Sequence, residues 1–201
     1  MRIGVLGTGV VGRTLAGKLR ELEHDVLIGS RTAGEDAVPF AESAAHGEVV
    51  FNCTGGMVSL DALTAAGADN LSGKVLVDVS NPLDFSNGMP PTLSVCNDDS
   101  IGESIQREFP DARVVKTLNT VNAGVMVDPG SVPGVHDMFV SGNDESAKAQ
   151  VVKLLGSFGW PPDRIIDLGD IAGARGQEMY LPLWLRLMGV FGPQFNIRVV
   201  R

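Results

Sequence analysis

The chain has 201 residues, 44% of them hydrophobic and 20% charged, with a formal net charge of −8. That length supports one good core and a small appendage, and the composition argues against a disordered chain. The acidic balance argues against a general nucleic-acid binder, which needs surplus Lys and Arg to displace counterions, and against docking on an anionic membrane.

Ile3 to Leu6 is a compact apolar run that predicts a buried strand. It enters the turn Gly7-Thr8-Gly9-Val10-Val11-Gly12, and Arg13 to Glu23 follows with helical spacing, Val11, Leu15, Leu19 and Leu22 sharing one face. A lone G-x-G-x-x-G is weak, but a strand before it and a helix after it are what a dinucleotide site requires. Gly7 permits the tight turn, Gly9 lets the backbone approach a pyrophosphate, and Gly12 lets helix and strand pack closely. The free N–H groups of the helix N-terminus then face the phosphates.

Asp25 to Ile28 is the second predicted strand, and its carboxyl end reads Gly29-Ser30-Arg31-Thr32. An NAD site carries an Asp or Glu there to hold the ribose 2′-hydroxyl; Asp25 sits at the wrong end. Arg31 can instead pair with a 2′-phosphate, and Ser30 and Thr32 can donate hydrogen bonds to it, so the expected cofactor is NADP(H). Strands are also predicted at Glu48–Asn52, Lys74–Val79, Arg113–Thr117 and Asp137–Ser141, with helices at Leu60–Ala66, Ser100–Phe109 and Asp144–Phe158. This alternation implies a Rossmann-type, doubly wound parallel sheet covered on both faces.

The polar ends of the later strands are expected to line the same crevice. Cys53, Thr54 and Gly55 follow the third strand, where the pyrophosphate or ribose edge would pass, and Cys53 reads as a packing residue more readily than as a redox thiol. Asn81 follows the fourth strand; Asn119 and Ala123 follow the fifth, in a loop that either orients a nicotinamide and its acceptor or simply caps itself. The two cysteines, Cys53 and Cys96, have neither metal-ligand spacing nor a disulfide framework.

Residues 1–160 are expected to form the NADP-binding domain. Beyond Trp160-Pro161-Pro162, residues 161–201 are expected to form a small helix-strand lobe packed on it: a strand at Arg164–Leu168, a helix over Gly169–Gly189 and an edge strand from Phe195 to Val200. Within that helix Arg175 and Glu178 stand three apart and could form an ion pair. Leu181 to Phe191, interrupted by Pro182 and Arg186, falls short of the roughly 20 residues that span a bilayer. The N-terminus shows no signal-peptide pattern, so a cytoplasmic protein without a membrane partner is expected.

The stretches "RIGVLGTGVVGRTLAGKL", "HDVLIGSR", "DVSNPLDF", "VVKTLNTVNAG" and "DLGDIAGARGQEMYLPLWLRL" together resemble the NADP-dependent, coenzyme F-420-linked oxidoreductase family over nearly the whole chain. The resemblance implies a Rossmann domain with a small C-terminal lobe, a homodimer, and a deazaflavin held against the nicotinamide. The reductase portion of eukaryotic metalloreductases, whose acceptor is a flavin, is similar. Carried over, the family pattern puts Thr8, Gly9, Val10 and Val11 on the pyrophosphate and Ser30 and Arg31 on the 2′-phosphate. Where that pattern often has a Lys, this sequence has Ala33, Gly34, Glu35 and Asp36. Where deazaflavin reductases carry His-Thr, it has Asn119-Thr120.

The expected reaction is hydride transfer between NADP(H) and coenzyme F-420 or a flavin, the second substrate being a small-molecule acceptor. No side chain is assigned as catalytic, because alignment of the two rings supplies the rate and the cofactor carries the chemistry. His24, His46 and His136 read as structural or solvated. Two alternatives stay open: a non-catalytic NADP(H) redox sensor, and a reductase of a small imine or carbonyl, which would want a proton donor such as Lys or Tyr180.

Overall fold

The computed structural model describes residues 1–201. In chain order its elements are β1 (Arg2–Leu6), α1 (Val10–Glu21), β2 (Asp25–Ser30), β3 (Val38–Pro39), α2 (Phe40–His46), β4 (Val49–Asn52), α3 (Ser59–Ala66), α4 (Ala68–Leu71) and β5 (Val75–Asp78). There follow β6 (Leu83–Asp84), β7 (Thr92–Leu93), α5 (Ile101–Glu108), β8 (Arg113–Thr117), α6 (Ala123–Val127), β9 (Met138–Ser141), α7 (Glu145–Ser157), β10 (Ile165–Asp167), α8 (Ala174–Met179) and α9 (Leu181–Phe191). The main sheet runs β10-β9-β8-β5-β4-β1-β2-β3. Its six strands from β3 to β8 are parallel, with the chain reversing its winding between β1 and β4. This is the Rossmann-type α/β fold expected from the sequence.

Alternation along the buried strands builds a core on each face. Ile3, Val5, Val49, Phe51, Val75 and Val77 pack with Leu15 and Leu19 of α1 and Leu154 and Leu155 of α7. Leu6, Val50, Leu76 and Val114, from alternate positions, pack with Leu63 and Ile105 on the opposite face.

Three expectations change. β9 pairs antiparallel to β8, Lys116 opposite Ser141, so the sheet is mostly rather than wholly parallel. The intervening α6 has five residues, too few to carry the chain back across a sheet face, so β9 enters from the carboxyl edge and runs down. The helix expected over 169–189 is broken at Tyr180 into α8 and α9, with Pro182 in the first turn of α9, where its missing N–H costs nothing. The tail from Phe195 to Val200 is not a strand: β10 already holds the sheet edge, and the tail is held instead at the entrance to β9. There the Asp137 N–H donates to the Ile197 carbonyl at 3.0 Å and the Val199 N–H to Asp137 Oδ2 at 2.7 Å. The short helices α2, α4 and α6, strand β3 and the β6–β7 hairpin add to the predicted elements.

No helix is long and apolar enough to cross a membrane.

Candidate functional site

The winding reversal between β1 and β4 opens a crevice at the carboxyl edge of the sheet, where open α/β proteins bind ligands. Gly7 leaves β1 at φ 120°, a conformation side chains rarely adopt. A Cβ on Gly12 would lie 2.0 Å from the Gly7 carbonyl oxygen, so α1 reaches this close to the turn only as glycine. Gly9 differs: a Cβ there would meet nothing within 4 Å. Packing does not require that glycine, and its bare backbone leaves room above the helix. Gly9 is the N-cap of α1, no side chain caps the helix, and its first turn holds no acidic residue. The free N–H groups and the open space fit a pyrophosphate.

Thr8 lines this opening, its carbonyl accepting from Arg13 Nε at 3.0 Å. Val10 and Val11 begin α1; Val10 is exposed and Val11 lines the neighbouring hollow. A cavity of about 370 Å³ runs from Gly7 and Thr8 past Ser30 and Arg31 to Phe40, Val58 and Asp61. The Arg31 guanidinium makes no hydrogen bond or ion pair within the chain, while the Ser30 hydroxyl donates to the Thr32 carbonyl. Thr32 itself stays outside the cavity lining. Asp36, in the acidic stretch after the lip, faces Arg13 at 3.7 Å rather than Arg31.

Sharing Thr54 and Val58 with it, a second cavity of about 500 Å³ continues toward β5. Cys53, Thr54 and Gly55 form one wall; Val79, Ser80 and Asn81 form another, and Met57, Leu83 and Phe85 overhang it. Burial, then the nearby Asp78 carboxylate, pushes the Cys53 thiol well above its ordinary pKa, as suits a packing residue rather than a thiolate. Asn81 and Asn119 clasp each other, Asn81 Nδ2 donating to the Asn119 carbonyl and Asn119 Nδ2 to Asn81 Oδ1, both at 2.9 Å. Leu118, fully buried at φ 64°, bends the end of β8 to make that clasp. Asn119 Oδ1 and Thr120 Oγ1 remain buried without a partner. Ala123 opens α6, which the Asn122 side chain caps by accepting from the Val125 N–H at 3.1 Å. Neither Asn119 nor Ala123 lines either cavity.

Beneath this floor lies a charge cluster that sequence reading missed. Lys116 and Asp78 are wholly buried and Glu178 is 1% exposed. Lys116 Nζ lies 2.7 Å from Asp78 Oδ2 and 2.8 Å from Glu178 Oε1, and it also donates to the Ser80 carbonyl. Asp78 Oδ1 accepts from Asn52 Nδ2 and from the Ser80 hydroxyl and N–H. Glu178 accepts the Ile101 and Gly102 N–H groups at 2.9 and 3.1 Å, so the second carboxylate sits at the positive end of α5. Burial lowers the Lys116 pKa, and the two carboxylates more than reverse this, holding the ammonium above its usual range. The Arg175–Glu178 pair expected from their spacing therefore does not form. Glu178 turns inward to Lys116, and Arg175 pairs with Glu103, Nη2 to Oε1 at 2.6 Å.

The histidines are elsewhere. His24 lies near the N-terminal amine, His46 beside Asp25, and His136 between the Pro129 carbonyl and Asn196, edge-on to Trp160.

Residues 2–82 match the family model described as NADP oxidoreductase, coenzyme F-420-dependent. The fold matches, with a TM-score of 0.95 and 53% identity over 100% of both chains, a crystal structure from Arthrobacter sp. FB24 described as a candidate F-420-dependent NADP-reductase. The F-420-dependent NADP reductase of Methanocaldococcus jannaschii is 29% identical over 93% of this chain and 92% of its own length. Rat metalloreductase STEAP3 is 29% identical over 94% of this chain, which spans only 40% of that protein. With the glycine turn, the sheet order and the length-wide match in agreement, the chain belongs to the coenzyme F-420-dependent NADP oxidoreductase family, a family of NADPH-dependent oxidoreductases.

Proposed function

We propose that the chain transfers a hydride between NADP(H) and a deazaflavin or flavin acceptor. The observation that carries this reading is the uncapped, glycine-built turn at the start of α1, whose Gly7 and Thr8 share one cavity with the unpaired Arg31 guanidinium. Bound NADPH supplies a hydride from its nicotinamide C4 and becomes NADP⁺, while the acceptor gains that hydride and one proton from water.

The α1 N-terminus receives the pyrophosphate, with Gly7, Thr8, Gly9, Val10, Val11 and Gly12 forming the cradle. Arg31 pairs with the 2′-phosphate, Ser30 turning from Thr32 to donate to it. Cys53, Thr54, Gly55 and Asn81 wall the nicotinamide end, and the Asn81–Asn119 clasp fixes that wall in front of Ala123. No Lys, Tyr, His, Asp or Glu lines the second cavity, which disfavours reduction of a carbonyl by a protein acid and favours an acceptor protonated by water. Exposed Leu183, Val190 and Phe191 on α9 support a homodimer through that helix, testable by light scattering in solution.

Titration calorimetry with NADPH and NADH tests the nucleotide half. NADPH binds roughly 10–100-fold tighter if Arg31 holds the 2′-phosphate by charge-assisted hydrogen bonds. Equal affinities would overturn the assignment. NADPH oxidation with F-420, FMN and riboflavin tests the acceptor half, and binding without turnover on any of them favours the redox sensor.

A further inference from the structure

We propose that the second cavity takes, against the nicotinamide at its Cys53–Asn81 wall, a flavin-type ring whose side chain carries no anion, so that riboflavin fits it better than FMN or the polyanionic coenzyme F-420. This rests on the hydride reading above and narrows its acceptor.

The cavity's lining contains no charged side chain. Its rim is apolar and open: Met57 is 57%, Val58 48% and Phe85 56% exposed, and Met89 on the same hairpin excursion is 68% exposed. Apolar side chains left this bare beside a cavity mark a binding surface, and Phe85 offers a face for a planar ring to stack on.

Charge then decides among ring-bearing ligands. Asp84 adjoins Phe85 on the hairpin, and the Ser86 N–H donates to its carboxylate at 2.8 Å, which favours the ionised form. Asp61 lines the adjoining cavity. The cation behind the cavity wall is already committed: Lys116 donates to the Ser80 carbonyl and is paired with Asp78 and Glu178. Arg31 is free, but it sits at the far, adenosine end of the cleft. A phosphate-bearing tail leaving this mouth therefore meets carboxylates and a net charge of −8 without a pairing cation. A ribityl tail meets no such penalty.

The test is equilibrium binding followed by flavin fluorescence on protein saturated with NADP⁺, which cannot reduce the ligand. Riboflavin should bind about tenfold tighter than FMN at low ionic strength, and the gap should narrow in about 0.5 M salt as repulsion is screened. Asp84→Lys should narrow the gap at low salt, and Phe85→Ala should weaken both ligands by a similar factor. FMN or coenzyme F-420 binding as tightly as riboflavin, or a gap that salt leaves unchanged, would overturn the proposal. Riboflavin that binds tighter, with neither it nor FMN nor coenzyme F-420 reduced by NADPH, would support the cavity assignment and overturn the hydride reading alone.

Discussion

Arg31 and Lys116 are both cations at the carboxyl ends of strands in one sheet, and the fold treats them in opposite ways. Lys116 is fully buried, with two carboxylates and a carbonyl around its ammonium. Arg31 is exposed and partnerless on the wall of a cavity. A cation whose hydrogen bonds are satisfied inside the protein holds structure together; one left with its donors free is available to a ligand. The same distinction separates Gly12, which the backbone crowds, from Gly9, which nothing crowds.

That contrast breaks first at Lys116. Lys116→Met strands two buried carboxylates, a loss of about 3–5 kcal/mol for a broken buried pair, or roughly 10 °C in Tm for a chain of this size. A melting curve unchanged by the substitution would show that the cluster contributes nothing. Arg31→Ala should leave Tm where it is and weaken NADPH roughly 10–100-fold while sparing NADH, as calorimetry would show. Gly9→Ala should cost under about 1 kcal/mol of stability, since only a cap preference is lost, yet weaken NADPH by about tenfold through collision with the pyrophosphate.

The smallest effect lies at Glu103. The Arg175 guanidinium, with help from Ser100 and against burial, holds the Glu103 carboxyl below its usual pKa. A depressed carboxyl stabilises the fold above its unfolded pKa of about 4.3, and that stability is lost as pH falls through the lower folded value. Urea titrations of Glu103→Gln and the parent should therefore differ most at neutral pH and converge in acid. A constant difference would remove the ion pair from the account.

Local chemistry was legible in the sequence and distant pairing was not. The glycine turn, the Ser30-Arg31 lip and the strand–helix alternation are written in contiguous residues whose spacing states their geometry. Lys116 and Asp78 are 38 residues apart, and Glu178 reaches the Ile101 N–H across 77. Nothing in the immediate neighbourhood of any one of them names the others. Arg175 and Glu178 misled for the same reason: helical spacing suggested a local pair, and a buried ammonium with two free helix N–H groups was the stronger claimant on the glutamate. The tail's alternation suggested a strand, but pattern alone does not say which sheet edge is already taken.

The glutamate that closes α5 also decides how the polypeptide may be divided. A fragment ending after Asp167 keeps every strand of the sheet but loses Glu178, opening the start of α5 and removing one of the two counter-charges of Lys116. It also uncovers α5 at Gly102, against which Ile171 and Ala174 pack. Such a minimal nucleotide-binding module would be sticky and poorly folded, so tags and fusions belong at exposed Arg201, beyond an intact lobe.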